Sequence, residues 1–215
     1  MNEKVDANKV DANKVDDKTN TESRRRTRGR WKLFAVLAVC ASPLLASYFA
    51  YYVVKPTGRT NYGTLIDPRQ YPIPPMASRT LAQQPTTLDA YKGKWIMLKV
   101  GGSDCGQVCQ DQLFLMRQLR TMQGKDRERI ERVWLITDDQ PLETMLLRVN
   151  DGTRMLRAPA DVVAKWLPVE PGGDAGDHIY LIDPLGNLMM RFPKNPDPAK
   201  MKKDIAKLLK ASAIG

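Results

Sequence analysis

Histidine is nearly absent from this chain: His178 is the only one in 215 residues. A lone histidine excludes most zinc sites built on several imidazoles. There is also no HExxH, no Gly-rich phosphate loop and no Ser-His-Asp set. Cysteine is scarce, with only Cys40, Cys105 and Cys109. Charge is missing altogether from one stretch, since neither acid nor base occurs between Leu33 and Val54. That run supplies the ~20 apolar residues a helix needs to cross a bilayer. Pro43 inside it is tolerable in a spanning helix, and Tyr48, Tyr51 and Tyr52 suit the aromatic belt at a membrane interface.

What the chain has in excess is positive charge, a formal +10. Nucleic acid is not needed to explain it. Arg24, Arg25, Arg26, Arg28, Arg30 and Lys32 form an acid-free cluster directly before the apolar run. Such a cluster holds its end of a span in the cytoplasm, so the C-terminal part is expected on the exported, periplasmic side of the inner membrane. A cleavable signal peptide competes, with Ala46 and Ala50 as small residues near a cleavage point. The apolar run is longer than a usual signal core and the hydrophilic leader is long, so an uncleaved anchor fits better. Either way Cys105 and Cys109 reach a space that permits disulfides.

Four regions follow. Residues 1–32 form a basic tail whose motif Lys4-Val-Asp-Ala-Asn8 recurs at Lys9 and Lys14, a period matching neither solenoid nor heptad; we read it as disordered and cytoplasmic. Residues 33–54 are the transmembrane helix. Residues 55–78, with Pro56, Pro68, Pro72, Pro74 and Pro75, read as a semi-rigid spacer. Residues 79–215 are the folded domain.

Within that domain Trp95–Val100 reads as a buried strand bounded by Gly93 and Gly101. Residues 105–123 read as an amphipathic helix, Val133–Ile136 as a second buried strand, and 142–149 as a short helix. Met155-Leu156 is a brief strand and Ala160–Trp166 a helix after Pro159. Ile179–Ile182 and Leu188–Phe192 flank the turn Asp183-Pro-Leu-Gly-Asn187 and so form a hairpin. Pro198–Ala211 is a last helix with Lys202, Lys203, Lys207 and Lys210 outward. The ten methionines are spread along the chain and suit core packing. Asp138-Asp139, after the second strand, is expected to cap the following helix.

The motif that carries chemistry is Cys105-Gly-Gln-Val-Cys109, placed where the first strand ends at Gly101-Gly102 and a helix begins. Helix N-termini favour thiolates, so the pair reads as a redox or metal site, with two buried helix cysteines or a structural disulfide as the plainer alternative. Residues i and i+4 on a regular helix hold their Cβ atoms ~5–6 Å apart. A disulfide wants ~3.5–4.5 Å, so it requires the first cysteine to lie outside the helix; a metal tolerates the wider bite, and the spacing leans toward a metal over a permanent disulfide. Strand, helix, strand, helix, strand, helix, hairpin, helix, with a dithiol after the first strand, predicts a thioredoxin-like three-layer α/β sandwich.

On these residues the chain resembles the Sco/SenC family of membrane-anchored proteins involved in cytochrome c oxidase assembly. The matching pieces are Gly93–Leu98, the Gly101–Cys109 turn, Val133–Asp139, and Asp177-His178 before Tyr180–Pro184. Where that family usually has Pro and Asp after the first cysteine, this chain has Gly106 and Gln107. The resemblance implies copper as the metal, bound by Cys105, Cys109 and His178, and a subunit of a respiratory cytochrome oxidase as partner. It implies a copper-carrying assembly factor rather than an enzyme. Two other roles stay open: a thiol–disulfide reductase in which the more exposed Cys105 attacks and Cys109 resolves, and a non-catalytic assembly scaffold.

Overall fold

The computed structural model describes residues 31–54 and 61–214. The tail of residues 1–30, its repeat and most of the arginine cluster lie outside the described residues. The chain divides into two units between Gly58 and Arg59. The first contains α1 (Trp31–Tyr52), 22 residues with a mean hydropathy of 2.0. At 1.5 Å per residue it is about 33 Å long, enough to cross a bilayer core. Leu33, Phe34, Leu44 and Leu45 all stand exposed on it, so no protein core explains its apolarity.

The second unit is built on one eight-stranded sheet in the order β1-β8-β7-β4-β5-β6-β2-β3. Its strands are β1 (Thr64–Leu65), β2 (Ser78–Thr80), β3 (Pro85–Thr86), β4 (Trp95–Gly101), β5 (Ile130–Ile136), β6 (Arg154–Arg157), β7 (Ile179–Ile182) and β8 (Leu188–Arg191). Its helices are α2 (Gln107–Thr121), α3 (Thr144–Val149), α4 (Ala160–Trp166) and α5 (Pro198–Ala211). The strands β4, β5 and β6 are parallel, whereas β7 runs antiparallel to β4 and pairs with β8 as a hairpin.

Both faces of the sheet are covered, which is why its central strands are near-continuous apolar runs. Side chains alternate along β4. Trp95 and Met97 pack with Met116 and Leu119 of α2 and Met201, Ile205 and Leu209 of α5. Ile96, Leu98 and Val100 pack on the opposite face with Leu88 and with Val163 and Trp166 of α4. The result is the three-layer α/β sandwich that the element order predicts.

The spacer expected over residues 55–78 is corrected for its described part. Residues 61–78 lie on the domain. Ile73 and Met76 are buried in the core, β1 pairs with β8, and Pro72 bridges to Asn187. Asp204, 2% exposed on α5, accepts hydrogen bonds from the N–H groups of Tyr62 (2.6 Å) and Gly63 (3.0 Å). Prolines fit here because β1 and its neighbours run along a sheet edge, where fewer backbone donors are required.

Candidate functional site

The carboxyl ends of the parallel strands β4, β5 and β6 share one edge of the sheet, and β7 begins there. After β4 the chain turns through Gly101–Gly106, with extended Gly106 as the N-cap of α2. Cys105 therefore lies outside the helix and Cys109 in its first turn. They form a disulfide with Cα atoms 5.2 Å apart. This is the geometry that an i, i+4 pair requires for a disulfide.

The turn is tightly braced. Asp138, just past β5, accepts the Ser103 N–H at 2.8 Å and the Gln140 N–H at 3.2 Å. Burial raises the Asp138 pKa, but hydrogen bonds from Ser103 and Gln140 and the nearby Arg157 outweigh it and hold the carboxyl below its usual range. A Cβ on Gly102 would come within 2.7 Å of Asp138 Oδ2 and 2.8 Å of Asp104 Oδ1, so a larger residue here would push the bracing carboxylate of Asp138 or that of Asp104 aside. The helix-capping role expected for Asp138-Asp139 is corrected. The N-cap of α3 is Glu143, without a side-chain cap, and Asp138 is occupied by the dithiol turn. Asp139 instead pairs with Arg79.

The expected exposure of the cysteines is also reversed. Cys105 is 5% exposed and packs with Leu113, Trp134, Ile136 and Leu146, while Cys109 is only partly buried. The glycine turn folds back under the helix and carries the first cysteine inward. The second sits on the helix's first turn.

His178 lies directly before β7, at the end of a short 3-10 turn over Ala175–Asp177. Its ring is 1% exposed, and Nδ1 is 2.9 Å from the Phe192 carbonyl. A carbonyl only accepts, so Nδ1 carries the proton and Nε2 presents a lone pair. Nε2 is buried without a hydrogen-bond partner and lies below Gly173. Among the described residues no group of three His, Cys, Asp or Glu side chains stands close enough to hold a metal. The structure thus unites Cys105 with Cys109 and leaves His178 apart from them.

Two buried polar residues, Lys99 and Gln112, escaped the sequence reading and hold the histidine loop. Lys99, 2% exposed, donates from Nζ to the Val100 carbonyl at 2.7 Å and to the Gly176 carbonyl. Burial pulls its pKa down to about 8, with Asp174 and Asp177 partly opposing. Gln112 of α2 donates to the Asp177 carbonyl at 2.9 Å. Asp174 and Asp177 close a reciprocal capping box. The Lys194 ammonium, 2.8 Å from Asp177, and the Asp174 N–H hold the Asp177 carboxyl below its usual range. The one available signal was a single lysine inside the apolar run Trp95–Val100.

A family described as "Transmembrane-like, thioredoxin-like, C-terminal domain" matches residues 95–212, and "Transmembrane-like, N-terminal domain" matches residues 23–54. Among solved structures, the chain is similar to BsSco, a member of the Sco family of cytochrome c oxidase assembly proteins. Identity there is 16%, coverage 67% of this chain and 95% of that one, and TM-score 0.50. It is also similar to copper-bound ScoI of Bradyrhizobium japonicum (20% identity, 64% and 97% coverage, TM-score 0.47). Copper-bound yeast Sco1 gives 18% identity, 71% and 91% coverage and a TM-score of 0.49. No curated protein matches the chain. With a thioredoxin-like sheet, a dithiol turn at its edge and a family match over more than half its length, the chain belongs to the transmembrane-like, thioredoxin-like family.

Proposed function

We propose that the chain is a membrane-tethered, Sco-like copper carrier. Its N-terminus is cytoplasmic, its thioredoxin-like domain is exported, and it serves the assembly of a respiratory cytochrome oxidase. Copper is cargo here: reduced Cys105 and Cys109 supply the soft thiolates that Cu(I) prefers, and His178 completes the set through Nε2. The observation carrying this reading is the state of His178. A metal-binding imidazole usually donates its other N–H to a carbonyl, and His178 Nδ1 does so to Phe192 while Nε2 is unpartnered. Copper loading then requires reduction of the disulfide and a shift of the histidine loop toward the thiolates. Two of the similar structures hold copper, and BsSco is described with a disulfide switch.

The disulfide itself favours a second reading, thiol–disulfide exchange with an oxidase subunit or another exported protein. One reduced cysteine, as thiolate, attacks a partner disulfide and expels one partner thiolate, leaving a mixed disulfide. The other cysteine attacks that bond, releases the second partner thiolate and restores the Cys105–Cys109 disulfide.

Copper titration of the reduced full chain separates the two. The expected result is one Cu(I) per chain, lost in Cys105→Ser or Cys109→Ser and weakened in His178→Ala. Unchanged affinity and copper spectrum in His178→Ala would remove His178 from the ligand set. Absence of copper binding by the reduced wild type would leave exchange as the function.

A further inference from the structure

A cleft of about 480 Å³ opens beside the dithiol turn, within the size range of ligand sites. Its walls are the ends of β5 and β6, the strand β2 and the turn between β2 and β3. Residues that matter to its chemistry are Ser78, Arg79, Gln83, Asp138, Asp139 and Arg157. It lies outside the carboxyl ends of parallel strands, where open α/β sheets take their ligands.

Two of its walls are shared with the dithiol. Asp138 lines the cleft and holds the N–H of Ser103, two residues before Cys105. Leu81 of the β2–β3 turn packs in the apolar cluster of Cys105 and Cys109, and Gln83, two residues on, forms the cleft rim. Gln83 adopts φ +62°, a left-handed conformation that non-glycine residues rarely take outside functional or tight turns.

The polar groups select the ligand class. Arg79 pairs with Asp139, and Arg157 contacts Asp138 while donating to the carbonyls of Asp138 and Gln140. Two cations and two anions cancel, which disfavours nucleotides, metal ions and other strongly charged ligands. Ser78 Oγ, on a residue 5% exposed, is buried with no hydrogen-bond partner. A hydroxyl both donates and accepts, as does each peptide unit. A neutral lining that mixes donors and acceptors and adjoins a dithiol suits an extended polypeptide.

We infer that this cleft binds a polypeptide segment of the partner protein and presents that partner's cysteines to Cys105 and Cys109. The inference rests on the dithiol acting on a protein partner, as either reading above requires.

The test uses the reduced full chain in detergent with two probes. Reduced, carboxymethylated α-lactalbumin is an unfolded polypeptide without free thiols and reports cleft binding alone. Glutathione disulfide is too small to need the cleft and reports dithiol reactivity alone. Ser78→Trp fills the cleft from its floor. Ala160→Trp fills it from an exposed rim position and leaves the core untouched. Both variants are expected to bind the polypeptide about tenfold more weakly and to react with glutathione disulfide at the wild-type rate. Wild-type affinity in Ala160→Trp, or no binding of the polypeptide by the wild type, overturns the cleft. Equal loss of both readouts in both variants also overturns it. A wild type inert to glutathione disulfide whose polypeptide binding still falls in the variants removes the exchange reading and upholds the cleft.

Discussion

The dithiol turn and the histidine loop meet at the same end of the sheet, yet they are held by different means. The turn is fixed by local backbone: a strand end, a glycine at 102 crowded by two carboxylates, a helix start, and one carboxylate from just past the next strand. The loop is fixed by distant side chains: Lys99 from β4, Gln112 from α2 and Lys194 from beyond β8. Of these, Lys99 and Gln112 are buried and Lys194 is not. The pair of cysteines is therefore a rigid element. The histidine is set by a network in which one member carries a buried charge.

That buried charge supplies the sharpest way to break the comparison. The folded pKa of Lys99, about 8, lies below its ordinary value of 10.5. Between those values the unfolded chain holds a proton that the folded chain has released, so stability rises with pH. Relative to Lys99→Met, the wild type is expected to gain about 3 kcal/mol between pH 8 and pH 10.5, and nothing below pH 8. Denaturant unfolding of both proteins from pH 6 to 10.5 measures it. A pH-independent difference would show that Lys99 holds the loop without bearing a displaced proton.

Asp138→Ala tests the other region. It removes the acceptor of Ser103 N–H and Gln140 N–H, and a destabilisation of about 2 kcal/mol is expected. Amide exchange should accelerate at Ser103–Cys105 and stay unchanged at Asp174–His178. Acceleration in both segments would mean that the two regions are one unit.

The reversed burial of the cysteines is read by alkylation. In the reduced chain Cys109 is expected to react several-fold faster than Cys105, because Cys105 packs among Leu113, Trp134 and Leu146. Mass spectrometry after a short iodoacetamide pulse gives the ratio, and a faster Cys105 would restore the order implied by helix position alone. The smallest effect belongs to Lys194→Ala. Its ion pair with Asp177 is largely exposed on the lysine side, so a loss of about 0.5 kcal/mol is expected. A loss several times larger would place the histidine loop under surface control.

The same division explains what could be read from sequence. Elements fixed by local pattern were legible: Trp95–Val100, Ala160–Trp166, the hairpin around Asp183–Asn187 and Pro198–Ala211 all stand where periodicity and turn chemistry put them. Cys105 and Cys109 were legible for the same reason. Proline content misled over residues 61–78, because Pro and an edge strand are compatible and the pairing of β1 with β8 spans more than a hundred residues. Helix position likewise misled over which cysteine is exposed, since the folding back of the turn depends on Trp134 and Ile136 of another strand. Lys99 was hidden because an amphipathic lysine inside an apolar run looks the same whether its amine reaches solvent or a carbonyl.

The docking of Tyr62–Leu65 also bears on how the sheet-containing unit can be handled by itself. With Asp204 gripping Tyr62 and Gly63, the chain lays β1 along β8, so the outer rim of the hairpin is already satisfied. Cleaving before Arg79 would vacate the places of Ile73 and Met76 and strip that rim bare. A naked strand of Leu188–Arg191 would offer its free amides and carbonyls to any neighbour, and the shortened protein should self-associate through it.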